Sequence, residues 1–173
     1  MMYLKKEDTI CDVGINTAQQ YIVHIIDDCE EDQYIAQRTL QPSFHIKKII
    51  VYKSAQHFFN FIEKSGQYND VVKTENHLII VDMHMPDMNG IELLKIMRTH
   101  PLTEDIPTVL LTGDQCSKVA LEAYQNKATA ILHKPLRRDC FENMIANFQG
   151  YYAASALAEK TLSPDSINYC LPL

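Results

Sequence analysis

The sequence lacks most of the features that would declare a chemistry at once. Its 173 residues contain five cysteines, at positions 11, 29, 116, 140 and 170, with no C-x-x-C pair. An odd, scattered set suits neither a disulfide framework nor a zinc site, and reads as reduced cytosolic protein. There is no excess of positive charge: 16 Lys and Arg face 22 Asp and Glu, for a net charge of −6. There is no basic excess to track a phosphate backbone, which argues against nucleic-acid binding as the main role. No apolar stretch approaches the ~18 residues of a membrane span. The opening MMYLKKEDTICDVGINTAQQ has Lys5 and Lys6 but no apolar h-region, so it is not read as a signal peptide. A cytoplasmic location is expected. Repeats and low-complexity tracts are missing too.

What is present is a core. At 46% hydrophobic, the chain can bury one domain of ordinary size. Four short apolar runs, YIVHII (21–26), LIIV (78–81), PTVLLT (107–112) and TAILH (129–133), are rich in Ile and Val and do not alternate with polar residues. Strands covered on both faces read this way. A fifth run, FHIKKIIVY (44–52), is more mixed. Between them lie helical patterns at 30–40 (Asp32 near the start, Pro42 beyond the end), 55–64, 89–98, 117–126 and 137–149. The last places Phe141, Met144, Ile145 and Phe148 at i, i+3, i+4 and i+7, a core-facing stripe. The apolar face of 117–126 is weaker, as suits either a mobile signalling helix or a solvated one. Strand and helix alternate five times, which predicts an α/β fold, a doubly wound parallel sheet with helices on both faces. The expected organisation is an extension over 1–20, one domain over 21–149 and a tail over 150–173. The segment 65–77 is a polar loop. The tail is too short and not basic enough for an output domain, so signalling by contact is expected.

In such a sheet, ligands sit beyond the carboxyl ends of the strands. The strand ends here are Asp27-Asp28, Asp82, Thr112-Gly113 and Lys134-Pro135. A single Asp after an apolar run is usually a cap or a turn residue. Four such ends supply one rim with three carboxylates, a hydroxyl and an ammonium, and that constellation is far more specific. Three carboxylates on a small rim repel, so either one pKa rises strongly or a cation joins them. Mg²⁺, with one or two carboxylates and several waters, suits an open site. With a Lys, such an ion screens a phosphoryl group while a carboxylate attacks as nucleophile, and the Thr hydroxyl can meet a phosphoryl oxygen.

The motifs IIDD (25–28), VDMHMPDMNG (81–90), LLTG (110–113) and HKP (133–135), in this order and spacing, resemble the receiver domain of two-component response regulators over about residues 21–149. The resemblance implies a flavodoxin-like five-stranded sheet in the order 2-1-3-4-5. It implies that Asp82 accepts a phosphoryl group from a histidine kinase or histidine phosphotransfer protein. Mg²⁺, or Mn²⁺ in its place, would be held by Asp27, Asp28, Asp82 and the backbone carbonyl of His84. Thr112 would be the switch hydroxyl, Lys134 would pair with the phosphoryl group, and the Lys134–Pro135 bond would be cis. Such a protein is a phospho-acceptor rather than an enzyme, at most labelling itself from small donors and losing the phosphate again.

Some positions depart from the family pattern or tune it. Ile131 stands where the family commonly has Tyr or Phe, which puts the usual aromatic readout in doubt. His84 and Asp114 occupy positions that tune phosphate lifetime. Histidines 24, 45, 57, 77, 100 and 133 are not at ligand spacing and receive no function. Met83, Met85 and Met88 read as gap-fillers. FIEKSGQYNDVVKTENHLIIVDM, MRTHPLTEDIPTVLLTG and an aromatic pair before LSP are similar to stand-alone regulators paired with bacterial phytochrome kinases. Tyr151, Tyr152, Ala153, Ala156 and Leu157 carry apolar character past Phe148, and predict a homodimer through the fifth helix and the tail. Two rivals remain. A Mg²⁺-dependent phosphatase of the haloacid dehalogenase type also uses an Asp nucleophile, but wants Asp where this chain has His84. A degenerate receiver acting as a scaffold is weakened by the complete acid, Thr and Lys set.

Overall fold

A computed structural model describes residues 20–64, 75–113 and 117–158, the side chains of 64, 117 and those from 149 onward excepted. The elements in chain order are β1 (Tyr21–Ile26), α1 (Glu30–Leu40), β2 (Ile46–Tyr52), α2 (Ala55–Lys64), β3 (Asn76–Asp82), α3 (Gly90–Met97), β4 (Thr108–Thr112), α4 (Ser117–Gln125), β5 (Ala130–His133) and α5 (Arg138–Ala158). All strand pairs are parallel, and the sheet order is β2-β1-β3-β4-β5, the expected one.

The two faces of the sheet explain why the apolar runs do not alternate. Ile26, Ile79, Val81 and Leu110 point to one face, where they meet Phe58 and Ile62 of α2, Leu94 and Met97 of α3, and Ala123 of α4. Their neighbours Val23, Ile25, Leu78, Ile80, Val109 and Leu111 point to the other, against Ala36 and Leu40 of α1 and Phe141, Met144 and Ile145 of α5. Each central strand therefore buries both of its side-chain sets, and only continuous apolar sequence satisfies that. The mixed run β2 is an edge strand, and its exposed Lys47 and Lys48 are charges that discourage pairing with another sheet edge.

One boundary differs from expectation. The last helix runs to Ala158, nine residues past the predicted end at 149. The cause is local: after Gly150 the segment YYAASALA has no breaker and sets five strong helix formers, four Ala and a Leu, against three weaker ones, enough to offset the ~1 kcal/mol cost of that glycine. No helix among the described residues is long and apolar enough to cross a membrane.

Candidate functional site

The carboxyl ends of β1, β3, β4 and β5 converge as the parallel order requires. Asp27 and Asp82 are buried and Asp28 is exposed, and oxygens from all three lie within 4.8 Å of one another. Thr112, the last residue of β4, is 1% exposed. Lys134 leaves the end of β5 through a cis Lys134–Pro135 bond, and its backbone N–H donates to the Thr112 carbonyl at 2.8 Å.

Lys134 is the electrostatic centre of the rim. Its Nζ donates to Asp27 Oδ2 at 2.9 Å and to Asp32 Oδ2 at 2.7 Å, and pairs with Asp82 Oδ1 at 2.9 Å. Burial works against its charge, but hydrogen bonds to Asp32, Asp82 and Asp27 outweigh it and raise the lysine pKa. Asp27 shows the opposite balance. Burial raises its carboxyl pKa, and the bonds it accepts from Lys134 and the Cys29 N–H only partly counter that. The two directions are compatible because Lys134 has three anions to stabilise its charge, whereas Asp27 shares one ammonium with two rivals. Three carboxylates around one ammonium, with Asp28 beside them, leave the rim short of positive charge. A divalent ion among Asp27, Asp28 and Asp82 could supply it, and an all-oxygen donor set with one exposed member suits Mg²⁺ or Mn²⁺.

The backbone is built to hold this arrangement. The Cys29 N–H donates to Asp27 Oδ1 at 2.8 Å, and the buried Gln33 donates from Nε2 to the Asp27 carbonyl at 2.6 Å. After Asp82, the chain turns and enters α3 through a capping box. There the Glu92 N–H donates to Asn89 Oδ1 at 2.9 Å, and the Asn89 N–H to Glu92 Oε2 at 3.1 Å. Gly90 opens the helix pressed against the strand end: a Cβ there would lie 2.7 Å from the Asp82 carbonyl oxygen. The Asn-Gly pair is therefore a cap and a close approach. A cleft of about 300 Å³ opens beside Asp28, with Phe59, Met85 and Met88 in its walls.

Other sequence candidates fall elsewhere. His84 is exposed just past the strand end, and Ile131 is half-buried against the cluster beneath α2, α3 and α4. Asp114 lies outside the described residues, as do the side chains of Tyr151, Tyr152, Ala153, Ala156 and Leu157. Met85 and Met88 pack against the core as gap-fillers do. Two members of the rim escaped the sequence reading. The sequence places Asp32 only near a helix start, and it carries no signal that singles out Gln33. The usable signal was position: Asp32 lies in the first turn of the helix that starts just past Asp27-Asp28.

Comparisons with known proteins agree with this geometry. Residues 23–146 match the response regulator receiver domain. The chain is 32% identical over 116 residues to the transcriptional regulatory protein FixJ of Rhizobium meliloti, covering 66% of this chain but only half of FixJ. It is 20% identical over 131 residues to the response regulator Rcp1 of Synechocystis, covering 76% of this chain and 88% of Rcp1. Among solved structures, the phosphorylated cyanobacterial phytochrome response regulator RcpA superposes with a TM-score of 0.58 at 16% identity, over 80% of this chain and 96% of that one. At such identity the superposition speaks for the fold alone. The likeness to phytochrome-associated regulators that the loop segments suggested thus has a counterpart, at the level of fold, in RcpA. With motif order, sheet order and family match in agreement, this chain belongs to the response regulator receiver domain family.

Proposed function

We propose that the protein is a phospho-acceptor switch in two-component signalling, with Asp82 as the acceptor and a histidine kinase or histidine phosphotransfer protein as the donor. The observation that carries this reading is the Lys134–Asp82 ion pair at 2.9 Å inside the Asp27, Asp28 and Asp82 cluster. A buried carboxylate beside an ammonium, within a cluster of oxygens that could share a second cation, supports that reading.

In the proposed reaction a carboxylate oxygen of Asp82 attacks the phosphorus of the donor's phosphohistidine. The new O–P bond forms as the P–N bond breaks, and the electron pair of that bond stays on the imidazole nitrogen. Asp27, Asp28, Asp82 and the His84 carbonyl would hold Mg²⁺ or Mn²⁺, which when bound offsets charge on the phosphoryl oxygens. Lys134 donates to one phosphoryl oxygen and the Thr112 hydroxyl to another. Thr112 ends β4 and leads towards α4, whose outer face exposes Leu121 and Tyr124, so a shift at the hydroxyl reaches a surface that a protein partner can touch. Ile131 has no ring to turn inward, which leaves Thr112 and α4 as the route. His84 and Asp114 set how long the phosphate lasts. The domain spans 21–149, flanked by the extension and the tail, in a cytoplasmic protein that acts by contact and forms a homodimer.

Intact-mass measurement after exposure to acetyl phosphate tests the assignment. One phosphoryl group is expected on the wild type, only with Mg²⁺ or Mn²⁺ present, and none on Asp82→Asn. Equal labelling of both would overturn it. Catalytic turnover of small phosphate esters would favour the phosphatase instead.

A further inference from the structure

Lys134 has three ammonium protons, and three carboxylates receive them. Two of those carboxylates, Asp27 and Asp82, also belong to the cluster whose oxygens lie close enough to share an ion. Asp32 does not, although its contact is the shortest of the three at 2.7 Å. It sits in the first turn of α1, where the exposed N–H groups of the helix favour a negative charge. The helix is itself tied to the rim by the bond from Gln33 to the Asp27 carbonyl.

We infer that Asp32 is a positioning residue for Lys134, keeping the ammonium beside Asp82 once a divalent ion occupies the rim. The inference rests on the reading of Asp82 as phosphoryl acceptor. An ion held by Asp27 and Asp82 draws on the same oxygens that now bind Lys134, and repels the ammonium. The hold from Asp27 and Asp82 then weakens at the moment the lysine is needed. Asp32 stands outside that competition and sits on a helix rather than a loop. With it in place, the long lysine stem stays extended over the rim, and one N–H remains directed to where a phosphoryl oxygen arrives. Without it the ammonium is free to swing towards solvent, on the side where Asp32 is one-third exposed.

The test is the rate of Asp82 labelling by acetyl phosphate at saturating Mg²⁺, in wild type, Asp32→Ala, Asp32→Asn, Lys134→Ala and the Asp32→Ala/Lys134→Ala pair. Asp32→Ala should lower the maximal rate roughly tenfold or more, since a misplacement of about 1 Å can cost about 10²-fold. The donor concentration for half-maximal rate should stay nearly constant, as should Mg²⁺ affinity by calorimetry. Asp32→Asn, which keeps an oxygen acceptor and the fold, should lie between wild type and Ala. In the Lys134→Ala background Asp32→Ala should have no further effect, since the residues act as one unit. The Lys134 ammonium resonance in proton–nitrogen correlation spectra, sharp in Mg²⁺-loaded wild type, should broaden in Asp32→Ala. Wild-type or faster labelling by Asp32→Ala, or an undiminished loss in the Lys134→Ala background, overturns the inference and leaves the receiver reading intact. A wild type that takes no label overturns both.

Discussion

His24 and His77 form a hydrogen-bonded pair inside the core, Nε2 of the first lying 2.9 Å from Nδ1 of the second. On its other side His24 Nδ1 is 2.9 Å from the hydroxyl of buried Tyr52, and both partner rings stack on the imidazole. Burial first, then His77 and Lys48, push the His24 pKa down from 6.5 to about 3. The folded protein therefore keeps His24 neutral where the unfolded chain protonates it. The unfolded state binds the extra proton below pH 6.5, so stability falls as pH falls through 6.5 towards 3. Between pH 7.5 and 5.5 this group alone should remove about 1.4 kcal/mol. Urea unfolding at the two pH values measures it. His24→Leu should be less stable at pH 7.5, because it strands buried polar partners, yet lose less on acidification. An equal loss in variant and wild type would count against the assignment.

Gly90→Ala sets two effects against each other. Alanine in the first turn of a helix should gain up to ~1 kcal/mol of propensity. The same Cβ would sit 2.7 Å from the Asp82 carbonyl oxygen and 3.0 Å from the Met83 Cα, and backbone cannot move aside cheaply. Overpacking of this kind costs about 1–3 kcal/mol, so a net loss is expected. Mg²⁺ binding should weaken with it, because the atom that must shift belongs to Asp82. A variant as stable as wild type, with unchanged calorimetric Mg²⁺ binding, would show that α3 does not press on the strand end.

Arg98 clamps the far end of the domain. Its guanidinium donates to the carbonyls of Thr103, Glu104, Ile106 and Lys127 at 3.0–3.3 Å. Lys127 itself takes a left-handed φ of 62° in the turn between α4 and β5. A planar fork serves four carbonyls from two loops, and a lysine ammonium does not. Arg98→Lys should therefore cost about 2 kcal/mol despite keeping the charge. A loss within about 0.5 kcal/mol in denaturant unfolding, typical of an ordinary surface change, would mean the clamp is idle.

The proposed homodimer rests on the length of α5. At 21 residues it is ~31 Å long, by 1.5 Å per residue. The longest strands have 7 residues, about 23 Å. The final turns, which carry Tyr151, Tyr152, Ala156 and Leu157, thus outrun the strands. Light scattering should give a dimer for the full chain and a monomer for one ending at Gly150. Monomers in both samples at high concentration, with and without a phosphate mimic, would sink the expectation.

What the sequence determined by itself was whatever depends on chain order. Apolar runs without alternation dictate strands buried on both faces, and the parallel winding then brings Asp27, Asp28, Asp82, Thr112 and Lys134 to one rim whatever the packing details. The extent of α5 was local information too, in YYAASALA, but was obscured by Gly150. Tertiary structure alone decided the rest. His24 and His77 are 53 residues apart and meet only because β1 and β3 pair in one particular register. Asp32 meets Lys134, 102 residues away, only because the assembled rim brings the first turn of α1 within 2.7 Å of a side chain that leaves the end of β5. The burial that separates the behaviour of Asp27 from that of Lys134 is likewise a property of the assembled rim. Periodicity reports which face a residue belongs to, whereas the partner it meets across the core depends on register and helix packing, which no local pattern encodes.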